Sequence, residues 1–272
     1  MGVQLVIIGD DPRMKALRRL MEAYKQEEST GGNEGKIYVL PIPAGKVTNR
    51  SELIRDWEED REQKIRILVF GGMLQSAKDI YTYLIERQIP FVDFMELEEV
   101  LWENAHITAE GTIAELLLHS PKTIRGEKIL ILGYGRCAQT LAAKIRGLEG
   151  LPVIVARSRD ARKMAEEAGY EVWDIADLPL VISQVNTVVN TVPALILNAM
   201  LLEQMQPESL VIDLASLPGG TDFARAKELG IEAIHALGLP SKYGVEKGAK
   251  ILLEEIRKVW KGEGVWTYPI VT

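Results

Sequence analysis

The sequence predicts an α/β protein, two α/β domains around a cleft, the second a Rossmann-type doubly wound parallel sheet. Three observations predict it. Short apolar runs alternate with amphipathic helical segments along the chain, the pattern of parallel strands joined by crossover helices. Over 128–156 the pattern is strand, two-glycine turn, helix, loop, strand: Lys128-Ile-Leu-Ile-Leu-Gly133-Tyr-Gly135-Arg136-Cys137-Ala138, apolar residues at helical spacing (Leu141, Ala142, Ile145, Leu148), then Val153-Ile-Val-Ala156. The length of 272 residues, 47% of them hydrophobic, is enough for two domains or one large one with a sizeable core.

Composition narrows the function. The net charge of −7, with acids and bases interleaved, argues against a nucleic-acid footprint, which needs a clustered basic face. One cysteine, Cys137, excludes an intrachain disulfide and fits a reducing compartment. The start, Met1-Gly-Val-Gln-Leu-Val-Ile-Ile-Gly9, enters a strand with no basic leader or cleavage site. The apolar stretch 188–202 is broken by Asn190, Pro193 and Asn198, so no membrane span is expected and the setting is read as cytoplasmic. No Cys/His cluster has metal spacing and no G-x-S-x-G occurs, so neither a metal site nor a serine hydrolase is expected.

The first domain, 1–103, is predicted to have strands over 3–8, 37–40, 65–70 and 91–92. Helices are expected from Pro12, capped by Asp11, and near 51–57 and 76–87. Residues 28–35 read as a polar, glycine-rich loop, and Gly71-Gly72 as a second phosphate turn or a loop lining the cleft. A helix over 96–104 leads into a connector, where Thr112-x-x-Glu115 has the form of a capping box. In that connector Thr108 and Glu110 serve capping or face the cleft. The second domain, 104–272, continues with strands over 171–173, 187–190, 210–214 and 232–234 and helices near 161–168, 196–205 and 222–229. The last helix, over 245–260, is a candidate to pack back onto the first domain.

The chemistry is expected where parallel strands end. Gly133 lets the chain turn out of its strand. Gly135, lacking a Cβ, lets a diphosphate approach the positive end of the next helix, with Arg136 and Cys137 in its first turn and Ala138 allowing close packing. A site for the unphosphorylated dinucleotide would carry an acid about 20 residues beyond the first glycine. The tip here reads Ala156-Arg157-Ser158-Arg159, with two guanidiniums and a hydroxyl for a 2′-phosphate, so NADP is expected; Ser158 also suits a helix cap. Asn190-Thr191-Val192-Pro193, Ala215-Ser216 and Gly238-Leu239-Pro240 are expected beside the cofactor. Gly219, Gly220 and Thr221 present backbone amides and a hydroxyl to cofactor or substrate, or form a turn that caps a helix. Of three histidines, His106 and His235 are the two within reach of the cleft.

From Asn104 onward the sequence resembles the A subunit of dipicolinate synthase from spore-forming bacteria. The resemblance rests on Asn104-Ala105, Thr108-Ala-Glu-Gly111, 129–136, Thr140-Leu-Ala142, Ala156-Arg-Ser158, 190–194, 212–216, 218–223 and Gly238-Leu-Pro240, with a weaker match at Ile8-Gly-Asp-Asp-Pro-Arg13. After Pro240 this chain has Ser241-Lys242-Tyr243-Gly244 where the family tends to continue with Gly, Ala and Pro. The resemblance implies oxidation of dihydro- or hydroxytetrahydro-dipicolinate to pyridine-2,6-dicarboxylate with NADP. It also implies a flavoprotein-like partner, the B subunit of dipicolinate synthase, and a mother-cell setting during sporulation; a homo-oligomer is expected as well. The small dicarboxylate would meet Arg13, the Gly219-Gly220 amides and Thr108 or Thr221, while Glu110 or His106 takes the proton. Two alternatives stay open: a catalytically silent NADP-binding sensor or scaffold, and a dehydrogenase of the shikimate or alanine type.

Overall fold

The computed structural model describes residues 2–25 and 33–260. In chain order these form β1 (Gly2–Ile7), α1 (Pro12–Lys25), β2 (Asn33–Val39), α2 (Arg50–Glu62), β3 (Arg66–Gly71), α3 (Lys78–Glu86), β4 (Phe91–Asp93) and α4 (Glu98–His119). There follow β5 (Lys128–Leu132), α5 (Arg136–Gly147), β6 (Leu151–Ala156), α6 (Arg159–Glu167), β7 (Glu171–Asp174), α7 (Leu178–Ile182), β8 (Thr187–Asn190), α8 (Ala199–Leu202), β9 (Leu210–Asp213), α9 (Phe223–Glu228), β10 (Glu232–His235), α10 (Leu239–Lys242) and α11 (Val245–Trp260). Two compact units result, one from Met1–Glu103 with Gly244–Thr272, the other Asn104–Tyr243. Among the described residues no helix is long and apolar enough to cross a membrane.

Both units are parallel-sheet α/β structures. The first sheet has the order β1-β2-β3-β4. Its strands alternate between two cores, as the twofold period of a strand requires. Ile37, Val39, Leu68 and Phe70 face α1 and α11, whereas Tyr38, Leu40, Ile67 and Val69 face α2 and α3. Burial on both faces explains why these strands read as unbroken apolar runs. Part of the predicted polar loop, Asn33 to Gly35, already belongs to β2; residues 26–32 lie outside the described residues.

The second sheet has the order β10-β9-β8-β5-β6-β7. Counted from β5 as the first strand, the half running β5, β6, β7 extends one way and the half β8, β9, β10 the other, the dinucleotide-fold order, which reverses between β5 and β8. Ile129, Ile131, Ile154 and Ile212 pack with α5 and with Ala109 and Leu116 of α4; Leu130, Leu132, Val155 and Val211 pack with α7 on the other face. Each such side chain contributes about 1.5–3 kcal/mol by leaving water.

Two predicted elements differ. The connector with its capping box does not exist, because 104–119 is the continuation of α4. The Thr112 hydroxyl donates to the Thr108 carbonyl one turn back (2.8 Å), a bond made inside a helix, and Glu115 is only 5% exposed. The helix expected over 196–205 shrinks to α8. There the Ile196 and Leu197 amides donate to the Gly220 carbonyl (3.0 and 2.9 Å), and Asn198 caps α8 by accepting from the Leu201 amide.

Candidate functional site

The reversal of strand order places the end of β5 beside the end of β8, and the two-glycine bend lies there. Gly133 has φ +93°, and its amide donates to the Val155 carbonyl (2.8 Å). A Cβ on it would meet Thr191 Oγ1 at 2.6 Å and Val192 Cγ2 at 3.0 Å, so glycine is required twice over, by torsion and by space. Thr191 is held by its amide and its hydroxyl, both donating to the Leu132 carbonyl (3.1 and 2.7 Å). Gly135 is different. Its φ of −78° suits any residue, and a Cβ there would meet nothing within 4 Å. The space above Gly135, at the start of the 12-residue α5, is open, so neither torsion nor packing requires glycine there. Ala138 is fully buried against the core. Burial pushes the Cys137 thiol up, outweighing Arg136, so the helix end does not make it a reactive thiolate.

At the tip of β6, Ala156 is buried while Arg157, Ser158 and Arg159 are exposed. Ser158 caps α6 by accepting from the Ala161 amide (3.4 Å). A third arginine, Arg162, fastens the tip from beneath. It donates to the Ala156 and Arg157 carbonyls (3.0 and 2.7 Å) and pairs with Asp174 at the end of β7 (2.7 Å). The acid beside the tip is therefore engaged by Arg162, and Arg157 and Arg159 point no hydrogen bond at it among the described residues.

Asp213, the last residue of β9, organises the neighbouring loops and is fully buried. Its Oδ1 accepts from Asn190 Nδ2 (2.9 Å) and the Ala215 amide (2.9 Å); its Oδ2 accepts from the Gly220 amide (2.7 Å) and the Thr221 hydroxyl (2.8 Å). A buried carboxylate without a cation is stable only when its lone pairs are occupied in this way. Several expectations change as a result. Asn190 is fully buried and spends its amide on Asp213 and the Val192 carbonyl, so it holds the Thr191-Val192-Pro193 turn rather than a ligand. Gly219 and Gly220 are not bare donors: the Gly219 amide bonds the Ser216 carbonyl (2.9 Å), the Gly220 amide bonds Asp213, and Thr221 is committed likewise. Ala215 is buried, leaving Ser216 and Pro218 exposed on that loop. His235 is a packing residue, its Nε2 2.8 Å from the Ala215 carbonyl and its ring stacked on Phe223 at 5.1 Å.

Beyond β10, Gly238 takes φ +66° and starts α10 with Leu239 and Pro240. Gly111 of α4 makes room for this segment, since a Cβ there would meet Tyr243 Cδ2 at 2.8 Å and Leu239 Cβ at 3.1 Å. Glu115, one turn on, clamps it by accepting from Lys242 Nζ (2.5 Å) and the Tyr243 hydroxyl (3.0 Å). The Lys242 contact holds the Glu115 carboxyl below its usual range, and His119 lies 3.5 Å away.

The structure does not gather the three expected catalytic side chains. His106 and Glu110 share a face of α4, whereas Thr108 lies about 200° around the helix from each. Glu110 is exposed and paired with Lys144 of α5 (2.9 Å), which fits a surface ion pair rather than a proton carrier. In the first unit, Arg13 is only 4% exposed, and burial draws its pKa down. The Gly71-Gly72 turn is closely packed, and the amides after it are already engaged. A Cβ on either would strike Leu74 or Ile42 at 2.5 Å, and the Met73 and Leu74 amides already donate to Asp93 (3.0 and 2.8 Å).

Comparison with known proteins bears on the arrangement. No protein-family model matches the sequence. The dipicolinate synthase A subunit of Bacillus subtilis (strain 168) is 26% identical over 286 aligned positions, covering 95% of this chain and 96% of the relative. The crystal structure of the dipicolinate synthase A subunit from Bacillus halodurans superposes with a TM-score of 0.79 at 26% identity, over 95% of this chain and 98% of that one. The chain is a homologue of the dipicolinate synthase A subunit. The transhydrogenase of Sinorhizobium meliloti shares the fold at 12% identity and a TM-score of 0.65, covering 97% of this chain and 93% of that one. The segments that resemble the dipicolinate synthase family include the Gly133–Gly135 bend, the β6 tip and the loops after β8, β9 and β10, all at the carboxyl ends of the second sheet.

Proposed function

We propose that this chain is an NADP-dependent oxidoreductase, the A subunit of a dipicolinate synthase, working with the B subunit of that enzyme. Its reaction converts dihydro- or hydroxytetrahydro-dipicolinate to pyridine-2,6-dicarboxylate. The observation that carries the reading is the open face of Gly135 at the strand-order reversal, with a basic rather than acidic tip on the adjoining strand. The residues fit the dinucleotide: the bend and first turn of α5 receive the diphosphate, and Arg157, Ser158 and Arg159 receive the 2′-phosphate. When bound, the nicotinamide supplies the hydride acceptor.

The chain's own task is mainly alignment. Oxidising a dihydropyridine ring removes one hydride and one proton and leaves an aromatic ring, so the product itself favours the reaction; the hydroxytetrahydro form first loses water. Asp213 holds the loops after β8 and β9 in fixed register, and the Glu115 clamp holds Gly238-Leu239-Pro240 on α4, so the walls beside the nicotinamide are pre-set. Of the candidate proton acceptors, His106 is exposed and its side chain has no ion pair or hydrogen bond among the described residues, so we assign it the proton. A nucleotide-binding polypeptide without an acid–base group of its own is a second reading, favoured by Thr108 lying on the other side of α4 from His106 and Glu110 and by the engagement of Glu110 with Lys144.

One assay separates these readings. The chain is mixed with hydroxytetrahydro-dipicolinate and NADP, or with alanine or shikimate in its place, with and without the B subunit, and dipicolinate and NADPH are followed by ultraviolet absorbance. Formation of dipicolinate that ceases when this chain is omitted supports the first reading. Nucleotide binding without turnover supports the second, and turnover of alanine or shikimate overturns both.

A further inference from the structure

The tip of β6 has an acid on the neighbouring strand. In the parallel register of β6 and β7, Ala156 stands opposite Asp174, the last residue of β7. Neighbouring strands lie about 4.8 Å apart, so the Asp174 backbone runs one strand spacing from the residue that opens the Ala156-Arg157-Ser158-Arg159 tip. An acid at this end of a dinucleotide-binding sheet ordinarily selects the unphosphorylated cofactor: it accepts from the ribose 2′-hydroxyl, and it repels a 2′-phosphate. Asp174 could play that part from one strand away.

Its carboxylate is engaged instead. Oδ2 pairs with Arg162 Nη1 at 2.7 Å, and Oδ1 accepts from the Ala176 amide (3.0 Å), capping the turn after β7. The same Nη1 donates to the Ala156 and Arg157 carbonyls (3.0 and 2.7 Å). Arg162 lies in α6, whose N-cap is Ser158, so one guanidinium ties together the end of β6, the start of α6 and the end of β7. The two side chains are 22% and 37% exposed, which leaves the pair less screened than one in open water. The carbonyl and N–H of a trans peptide point opposite ways, so holding the Arg157 carbonyl toward Arg162 turns the Ser158 N–H away from it. A surface ion pair accounts for the Asp174 contact alone; it does not account for the same nitrogen closing on two carbonyls of the tip.

We propose that Arg162 determines which dinucleotide this chain prefers, by cancelling the charge of Asp174 and holding the backbone of the β6 tip. It is a positioning residue: its guanidinium is spent on the protein, and Arg157, Ser158 and Arg159 are left to meet the 2′-phosphate. The acid that suits the unphosphorylated cofactor is present, and a cation inside the next helix silences it. This inference rests on the reading of the tip as the 2′-phosphate site.

Fluorescence titration of the full chain with NADPH and with NADH tests it, on the wild type, Arg162→Ala, Arg162→Gln, Asp174→Asn and the double variant Arg162→Ala/Asp174→Asn, each checked for fold by circular dichroism. Glutamine can still donate to the carbonyls but carries no charge, and asparagine can still cap the Ala176 amide. The wild type should prefer NADPH. Arg162→Ala and Arg162→Gln uncover a unit charge beside a dianion, so NADPH affinity should fall about fivefold to tenfold while NADH affinity changes by less than about twofold. Asp174→Asn should keep or raise the preference. Removing the acid as well should return at least about half of the logarithmic loss, the coupling expected of two residues in contact. A wild type that binds neither nucleotide, or both equally, removes the reading of the tip and the proposal with it. With an NADPH-preferring wild type, three results overturn the proposal alone: an unchanged ratio in the folded Arg162 variants, an equal loss for both nucleotides (the mark of a merely structural role), or a double variant that recovers nothing.

Discussion

Replacing each glycine of the bend by alanine separates what the fold needs from what a ligand needs. At Gly133 the added methyl must adopt φ +93°, which costs about 1–2 kcal/mol for an L-residue. It also falls 2.6 Å from Thr191 Oγ1, whose hydroxyl is tied to the Leu132 carbonyl, and 3.0 Å from Val192 Cγ2. Relieving such overlap in a packed turn costs about 1–3 kcal/mol more. Together these lower the melting temperature by about 5–15 °C for a domain of this size. At Gly135 the torsion is ordinary and the added methyl meets nothing within 4 Å, so stability should change by less than about 0.5 kcal/mol. If the bend receives the diphosphate as proposed, the methyl would stand in its approach and NADPH affinity should fall about tenfold or more. Scanning calorimetry and NADPH fluorescence titration of both variants read the two effects. The reasoning fails if Gly135→Ala melts as early as Gly133→Ala, or if it binds NADPH as tightly as the wild type.

Further outcomes follow from the same contacts. Asp213→Asn keeps the shape but turns an amide toward donors that now face a carboxylate, so thermal stability should fall by about 2–4 kcal/mol; a loss below about 1 kcal/mol would show the network to be incidental. Glu115 has a folded pKa below its unfolded value, so its contribution is present above about pH 5 and lost as pH falls through the lowered value. Melting curves should therefore drop more steeply with acid in the wild type than in Glu115→Gln, and parallel curves would refute the clamp. Cys137, raised by burial, should react with iodoacetamide at neutral pH more slowly than a free cysteine; faster reaction would contradict the assigned environment.

Every strand of both sheets is legible in the apolar runs, because parallel strands covered on both faces tolerate few polar positions. Boundaries differ by a few residues, and the last helix falls over the residues expected of it. The region of α4 misleads for a definite reason. Thr112-x-x-Glu115 satisfies a capping box on paper, yet the threonine bonds back within the helix and the glutamate answers a lysine and a tyrosine more than a hundred residues away. Gly219 and Gly220 read as open donors because nothing local reveals that Asp213 has already claimed that loop. A signal exists: an aspartate closing a fully buried strand must be satisfied by something. Arg162 is hidden by its position inside a helix.

The most direct test is the relative affinity of the chain for NADPH and NADH, measured by titration on the wild type and on Arg157→Asp. Tighter binding of NADPH by about tenfold, with the preference lost or reversed in the variant, is the predicted result. No binding of either nucleotide, or the same ratio in both proteins, would contradict it.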